Sequence, residues 1–274
     1  MTVPNVFVNG TLADANEVNE NFNSLVRLNA VSNGLYSLAD DTQIFNTSGT
    51  WTKPAGAKFV FVEVWGAGGS GGRFTNTSGG YATGGGGGAY TAQWFDASTL
   101  SASETITVGA GGAPVTSSIA DGNPGGTSSF GTHLESGGGG GGRRNNADTR
   151  PGGVPGRIYN RITPGVGASF PSFSVSIASA SGIFTAGGRG TSVGTSEVQD
   201  ASSIYGGAGG GYATTATSVD GGTSLYGGDG GAGGSSGDAS TAVAGAQPGG
   251  GGGGGIGVDS GAGGDGRVTV HTIL

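Results

Sequence analysis

Lys58-Phe59-Val60-Phe61-Val62-Glu63-Val64-Trp65-Gly66-Ala67-Gly68-Gly69-Ser70-Gly71-Gly72 joins the two kinds of backbone from which this chain is built. Residues 58–65 read as a strand. Both of its faces are largely apolar, so burial on both sides is expected. Residues 66–72 are nearly pure glycine, and similar tracts recur at 84–88, 109–112, 137–142, 206–211, 227–234, 249–255 and 261–266. Glycine supplies 66 of the 274 residues, where about 7% is usual.

Ordering one residue's backbone costs about 1–2 kcal/mol, and glycine returns no side chain to bury. The default reading of such a composition is a disordered linker, but a packed alternative exists. Glycine weakens sheets and α-helices alike. Collagen needs a strict G-X-Y period and abundant proline, whereas these tracts are irregular and only nine prolines are present. What remains is a polyglycine-II helix, with roughly three residues per turn, about 3.1 Å rise and no internal hydrogen bonds. Its N–H and C=O groups point outward and must find partners on neighbours. Without Cβ atoms such rods approach closely, assisted by weak Cα–H···O contacts. The uneven spacing of the tracts predicts short rods joined by variable loops rather than a regular solenoid.

Outward from the quoted stretch, Glu104–Val108 and Phe173–Ala178 read as weaker strands. Residues 267–273 alternate apolar and polar side chains and read as a last strand, expected to pair near 58–65 and close the domain. At the other end, Asp14 and Glu17 have capping-box spacing. Ala15, Val18, Phe22 and Leu25 then form one apolar stripe at helical period. That stripe packs either on the protein's own globular part or on a partner, through self-association or docking. The fold class expected is therefore irregular and β: an N-terminal α-helix, then a glycine-rich domain of packed polyglycine-II helices flanked by a few β-strands. Residues 1–34 form the helical attachment or oligomerisation segment, and 35–52 a connector. Residues 53–274 form the glycine-rich domain, with a long glycine-poor loop at about 143–186.

Composition narrows the function classes. Hydrophobic residues make up 34% and charged residues 11%, with a net charge of −7. A large apolar core is not expected, and the acidity argues against nonspecific nucleic-acid binding. No apolar run reaches about 18 residues, so no membrane insertion is expected. Residues 1–10 lack the regions of a signal peptide, which predicts synthesis in a cytoplasm without Sec export. The absence of cysteine removes disulfides and thiolate metal sites.

Catalytic motifs are thin. Gly66-Ala67-Gly68-Gly69-Ser70-Gly71 after a strand matches the opening of a dinucleotide-binding fingerprint. No helix pattern follows it, however, and the first acidic residue downstream is Asp96. The two histidines, His133 and His271, lack metal-site spacing. No nucleophile elbow and no P-loop are present. The run at 227–231 lacks the nine-residue repeat of calcium-binding arrays. The chain reads as a non-enzyme without cofactor or metal.

One segment differs from its surroundings. Arg143, Arg144, Arg150, Arg157 and Arg161 are five of the eleven basic residues, and Tyr159, Phe170 and Phe173 accompany them. Arginine suits bidentate contact with phosphate or carboxylate. The segment is either a solvated basic loop whose aromatics pack back, or a recognition surface for an anionic or carbohydrate-bearing partner. Tyr81, Tyr90, Tyr205, Tyr212 and Tyr226, at the ends of tracts, either cap rods or extend that surface.

Three stretches carry a family resemblance. Residues 7–22 (Phe7-Val8-Asn9-Gly10-Thr11-Leu12-Ala13-Asp14 and onward to Phe22) are similar to N-terminal attachment segments of phage tail-fibre-like proteins. Gly49-Thr50-Trp51-Thr52-Lys53-Pro54 through Gly69 resembles the opening of their glycine-rich domain. Ile106-Thr107-Val108-Gly109-Ala110-Gly111-Gly112 and the closing residues 263–270 complete the set. The chain thus resembles the glycine-rich bacteriophage tail proteins and tail-fibre adhesins. The resemblance implies a virion tail component, made in the host cytoplasm, whose polyglycine-II domain presents variable loops to a bacterial surface receptor, an outer-membrane protein or a glycan. It also implies attachment to other phage tail proteins through the N-terminal segment, with Val18, Phe22 and Leu25 as attachment or oligomerisation residues, and a homotrimer. The receptor-binding candidates are Arg143, Arg144, Arg150, Arg157, Tyr159, Arg161, Phe170 and Phe173. The alternative is a purely structural tail or baseplate component. A third reading, an ice-binding array, would favour a regular G-X-X period, which these tracts lack.

Overall fold

The computed structural model describes residues 40–75, 79–145, 158–159 and 201–274. Among them the chain is strand and irregular backbone, without an α-helix; the only helical turn is a short 3-10 turn at Ala97–Thr99. This corrects the expected class. The described protein is a β-rich assembly of four sheets, not a helix followed by a glycine domain with a few strands. The helical stripe of Val18, Phe22 and Leu25 lies outside the described residues, as does the strand expected at Phe173–Ala178.

A four-stranded sheet orders its strands Asp40–Phe45, Arg267–Ile273, Phe59–Trp65, Tyr90–Asp96, all antiparallel. The last strand of the chain is therefore interior, with Val268 opposite Val64 and Val270 opposite Val62. A second sheet runs Ile158–Tyr159, Leu134–Ser136, Ser128–Phe130, Ser103–Thr107, Gly49–Thr52. Two of these strands, Asp40–Phe45 and Gly49–Thr52, form within residues 35–52.

The period-2 geometry of strands turns Val60, Val62, Val64, Val268 and Val270 to one face. There they meet Trp51, Ile106, Phe130 and Leu134 of the second sheet in the main core. Phe130 lies at its centre, its ring 5.5 Å from Trp51 and 6.0 Å from Phe95. The molecule thus has a small apolar sandwich at one end.

Six strands of that sandwich run directly into or out of glycine tracts. Phe59–Trp65 continues as 66–72, Ser103–Thr107 as 109–112 and Leu134–Ser136 as 137–142. Tract 84–88, the segment Gly122-Asn123-Pro124-Gly125-Gly126 and tract 261–266 lead into Tyr90–Asp96, Ser128–Phe130 and Arg267–Ile273. The tract 66–72 shows what happens next. Its amides at 66, 69 and 72 donate to Ala89, Gly86 and Thr83; those at 67, 70 and 73 donate to Gly126, Asn123 and Ala120; those at 68 and 71 donate to Gly264 and Gly261. The direction of bonding returns every three residues, the rotation of a polyglycine-II helix.

The carbonyls of the same rod serve three further neighbours. Ala67 and Ser70 accept from Gly139 and Gly142, Gly69 and Gly72 from Gly252 and Gly255, and Gly68 from Gly112. The rod is surrounded on all sides by backbone. Tract 249–255 is likewise enclosed, donating to Ala208, Gly211, Gly69, Gly72, Val243 and Ala246 and accepting from Gly85, Gly88, Gly231, Gly234, Gly261 and Gly264. Small residues enter this lattice without strain: Ala67, Ser70 and Ala208 are fully buried, and the Ser70 hydroxyl accepts from the Asn123 amide at 2.8 Å.

One ionisable group sits inside the sandwich rim. Glu104, directly opposite Trp51, accepts from the Ser101 amide at 2.9 Å and lies 3.2 Å from His133 Nε2. Burial pushes its carboxyl up, but the bonds from Ser101 and His133 outweigh that and hold it below the ordinary 4.5. A depressed folded-state pKa contributes stability that is fully present above the ordinary value and is lost as pH falls from there through the depressed one. Glu104→Gln is therefore expected to lower the melting temperature at neutral pH and to flatten its decline below about pH 4.5. Melting curves across that range check this; an unchanged acid limb would refute it.

Candidate functional site

The strand Phe59–Trp65 is not buried on both sides. Its outer face carries Phe59, Phe61, Glu63 and Trp65, and Phe59 is 48% exposed. This is the second correction: a run apolar on both faces normally lies between two layers, but here the outer side is open at Phe59, half-buried at Phe61 and Glu63, and covered only at Trp65.

Strand register assembles the outer face in rows. Thr42, His271, Phe61 and Trp94 form one row, and Ile44, Thr269, Glu63 and Ala92 the next. Arg267, Trp65 and Tyr90 form a third. In the first row the Phe61 and Trp94 rings lie 4.9 Å apart, and Phe61 stacks 6.0 Å from His271. Trp94, on an edge strand, is 51% exposed. Thr42, Phe61, Trp94, His271, Thr272 and Ile273 line a shallow depression of about 330 Å³.

The third row begins a ladder of rings. Trp65 packs 4.9 Å from Tyr90, Tyr90 stacks 5.2 Å from Tyr205, and Tyr205 stacks 4.9 Å from Tyr226. The ladder runs from buried Trp65 and Tyr90 to Tyr226, which is 56% exposed beside the still more open Leu225. A repeated motif builds it: Ser203-Ile204-Tyr205-Gly206-Gly207 and Ser224-Leu225-Tyr226-Gly227-Gly228. The two copies run side by side, with Ser203 bridged to Ser224 in parallel and the Tyr226 amide donating to Ile204 O at 2.9 Å. Trp65 Nε1 donates to Tyr205 O at 2.7 Å and ties the ladder to the sheet.

Glu63 links the two aromatic groups. Its Oε1 accepts from the Tyr90 hydroxyl at 2.8 Å, and its Oε2 lies 3.1 Å from His271 Nε2. The other ring nitrogen of His271 is 3.1 Å from the Thr42 hydroxyl. Burial and the neighbouring Glu63 carboxylate push the Tyr90 phenol far above its usual range, so it remains a hydrogen-bond donor at any physiological pH. The arrangement holds its rings in place and offers no activated nucleophile. Among the described residues no group of three or more His, Asp and Glu side chains could hold a metal ion.

The residues singled out from sequence fall elsewhere. Arg143 and Arg144 are exposed. Arg143 pairs with Asp121 at 3.5 Å, and Arg144 donates to Ile119 O and through its amide to Asp121. Tyr159 is placed on a short strand opposite Glu135. Arg150, Arg157, Arg161, Phe170 and Phe173 lie outside the described residues. The aromatic outer face was missed because its residues read as core. The repeated Ser-[Ile/Leu]-Tyr-Gly-Gly motif is the sequence signal for the ladder.

Among curated proteins no match to the chain is found. Residues 42–272, which include the sandwich, the rods and the aromatic face, match the model of the glycine-rich domain family, and the chain belongs to that family.

Proposed function

We propose that this protein is a bacteriophage tail adhesin, a virion component that binds a bacterial surface receptor through side chains displayed on a scaffold of glycine rods. The observation that carries this reading is the open aromatic face of the sandwich. Glycine rods have no side chains to display, yet Phe59 and Trp94 on the sandwich, flanking half-buried Phe61, and Leu225 and Tyr226 at the end of the tyrosine ladder are left facing solvent. Clustered exposed aromatics of this kind mark interaction surfaces. The resemblance of residues 49–69, 106–112 and 263–270 to phage tail proteins supports the same reading, and the rigid rod lattice suits a part that must hold its binding face in position.

The test is adsorption. Purified protein is expected to bind susceptible bacteria saturably and to block infection by the phage that carries it. A purely structural tail component would do neither. Replacing Arg143, Arg144, Arg157 and Arg161 by alanine examines the basic segment separately. Weakened adsorption with an unchanged melting curve would place that segment on the receptor surface, and unchanged adsorption would remove it.

A further inference from the structure

We propose that the depression lined by Phe61, Trp94, His271 and Thr42 is a saccharide-binding site that takes a neutral hexose unit of a surface glycan; this rests on the adhesin reading above and specifies its ligand. The four side chains of one register row supply it. Phe61 and Trp94 form an aromatic floor, 4.9 Å between centroids with the planes inclined by 34°, while His271 and Thr42 extend the row with polar groups. A pyranose ring has the complementary surface: an apolar face of polarised C–H bonds and a rim of hydroxyls. The C–H face meets the negative face of an aromatic ring, and the rim exchanges hydrogen bonds with a hydroxyl such as that of Thr42.

Three observations select this ligand over others. The depression is shallow, so a ligand there stays partly hydrated, whereas sites for apolar small molecules enclose most of their ligand. Its lining contains no Lys or Arg, and Asp96 shares the outer face opposite Phe59. A phosphate or sulfate would find no lysine or arginine there and a net protein charge of −7. The row of Ile44, Thr269, Glu63 and Ala92 lies between the depression and the tyrosine ladder, and its exposed isoleucine sits on the edge strand away from Trp65 and Tyr90, with Thr269 and Glu63 between. The apolar surface is therefore broken into small platforms rather than one continuous protein-sized patch.

Intrinsic fluorescence gives a direct readout, because Trp94 is half exposed while Trp51 and Trp65 are buried. A panel of neutral gluco-, galacto-, manno- and N-acetylhexosamine oligosaccharides is titrated against the full chain, with sulfated dextran as the anionic comparison. At least one neutral oligosaccharide is expected to shift the emission saturably. Trp94→Ala should weaken its binding, measured by equilibrium dialysis, about tenfold or more, and Trp94→Phe should keep most of it. Trp94 sits on an edge strand, so unchanged melting curves verify that both variants fold. Silence of the whole neutral panel, preference for sulfated dextran, or binding that Trp94→Ala leaves intact overturns the proposal.

Bacterial envelopes separate this inference from the one beneath it. Binding lost after periodate oxidation but kept after protease treatment supports the glycan. Binding kept after periodate and lost after protease assigns the face to a protein partner and overturns the saccharide site while leaving adhesion standing. Oligosaccharide binding without envelope binding sinks the adhesin reading and leaves the saccharide site intact.

Discussion

Replacing Gly252 by valine is expected to prevent the glycine-rich domain from folding. Gly252 sits in a rod enclosed by other rods, donating to Gly69 O at 2.9 Å and accepting from the Gly85 amide at 2.8 Å. A Cβ at this position would fall on the carbonyl groups of Gly261 and Ala262. Both obstacles are backbone, which cannot rotate aside as a side chain would, so relief requires moving a whole rod. Each lost backbone bond costs about 1 kcal/mol, and more where the group stays buried without water. Since a rod bonds to several neighbours at once, the sum approaches the whole stability of a domain, about 5–15 kcal/mol. Gly56 is the control. It has φ +87° with nothing near a Cβ, so Gly56→Ala should cost only about 1–2 kcal/mol for the left-handed backbone. Soluble yield and thermal unfolding distinguish the two. A soluble Gly252→Val protein melting within a few degrees of the parent would rule out the lattice as the source of stability.

That contrast also explains what the sequence could reveal. Glycine tracts carry no side-chain pattern, so their existence is visible but their neighbours are not. Nothing in 66–72 announces that it lies between 249–255, 137–142 and 261–266, because lateral partners are chosen by backbone alone. The strands were legible where they alternate. Residues 267–273 pair residue for residue with 59–65, since the alternation of the last strand fixes which of its faces is buried. The same reasoning failed on the outer face of Phe59–Trp65. There, apolar residues signify burial only if something covers them, and a single sequence does not say what does. The tyrosines at tract ends were noticed singly; their union in one ladder depends on two loops twenty-one residues apart running in parallel. Period alone also proposed a helix through Val18, Phe22 and Leu25, on residues that the described fold does not include.

Val270→Asp is expected to melt the rods along with the sandwich. Val270 is fully buried in the main core, flanked by Val62 on one strand and Gln43 on the other. An ionised carboxylate there has no partner, and burying an unpaired polar or charged group costs several kcal/mol. The effect should spread because of how the rods are aligned. Side chains do not set the register between polyglycine-II helices, and sliding one by three residues restores equivalent bonds. Six rods emerge directly from sandwich strands, whose side chains do fix register. The sheet's inter-strand spacing of about 4.7–4.9 Å hands each rod to its neighbours already placed. Tract 249–255 then fits between 66–72, 84–88 and 261–266, all of which are anchored in this way. The sandwich therefore acts as the template and the rods as its extension. Unfolding of Val270→Asp should be a single transition in which amide protection at 249–255 disappears together with that at 59–65. Hydrogen exchange in which the 249–255 amides stay protected after the sandwich has opened would show that the rods hold their own register, and the template account would fall.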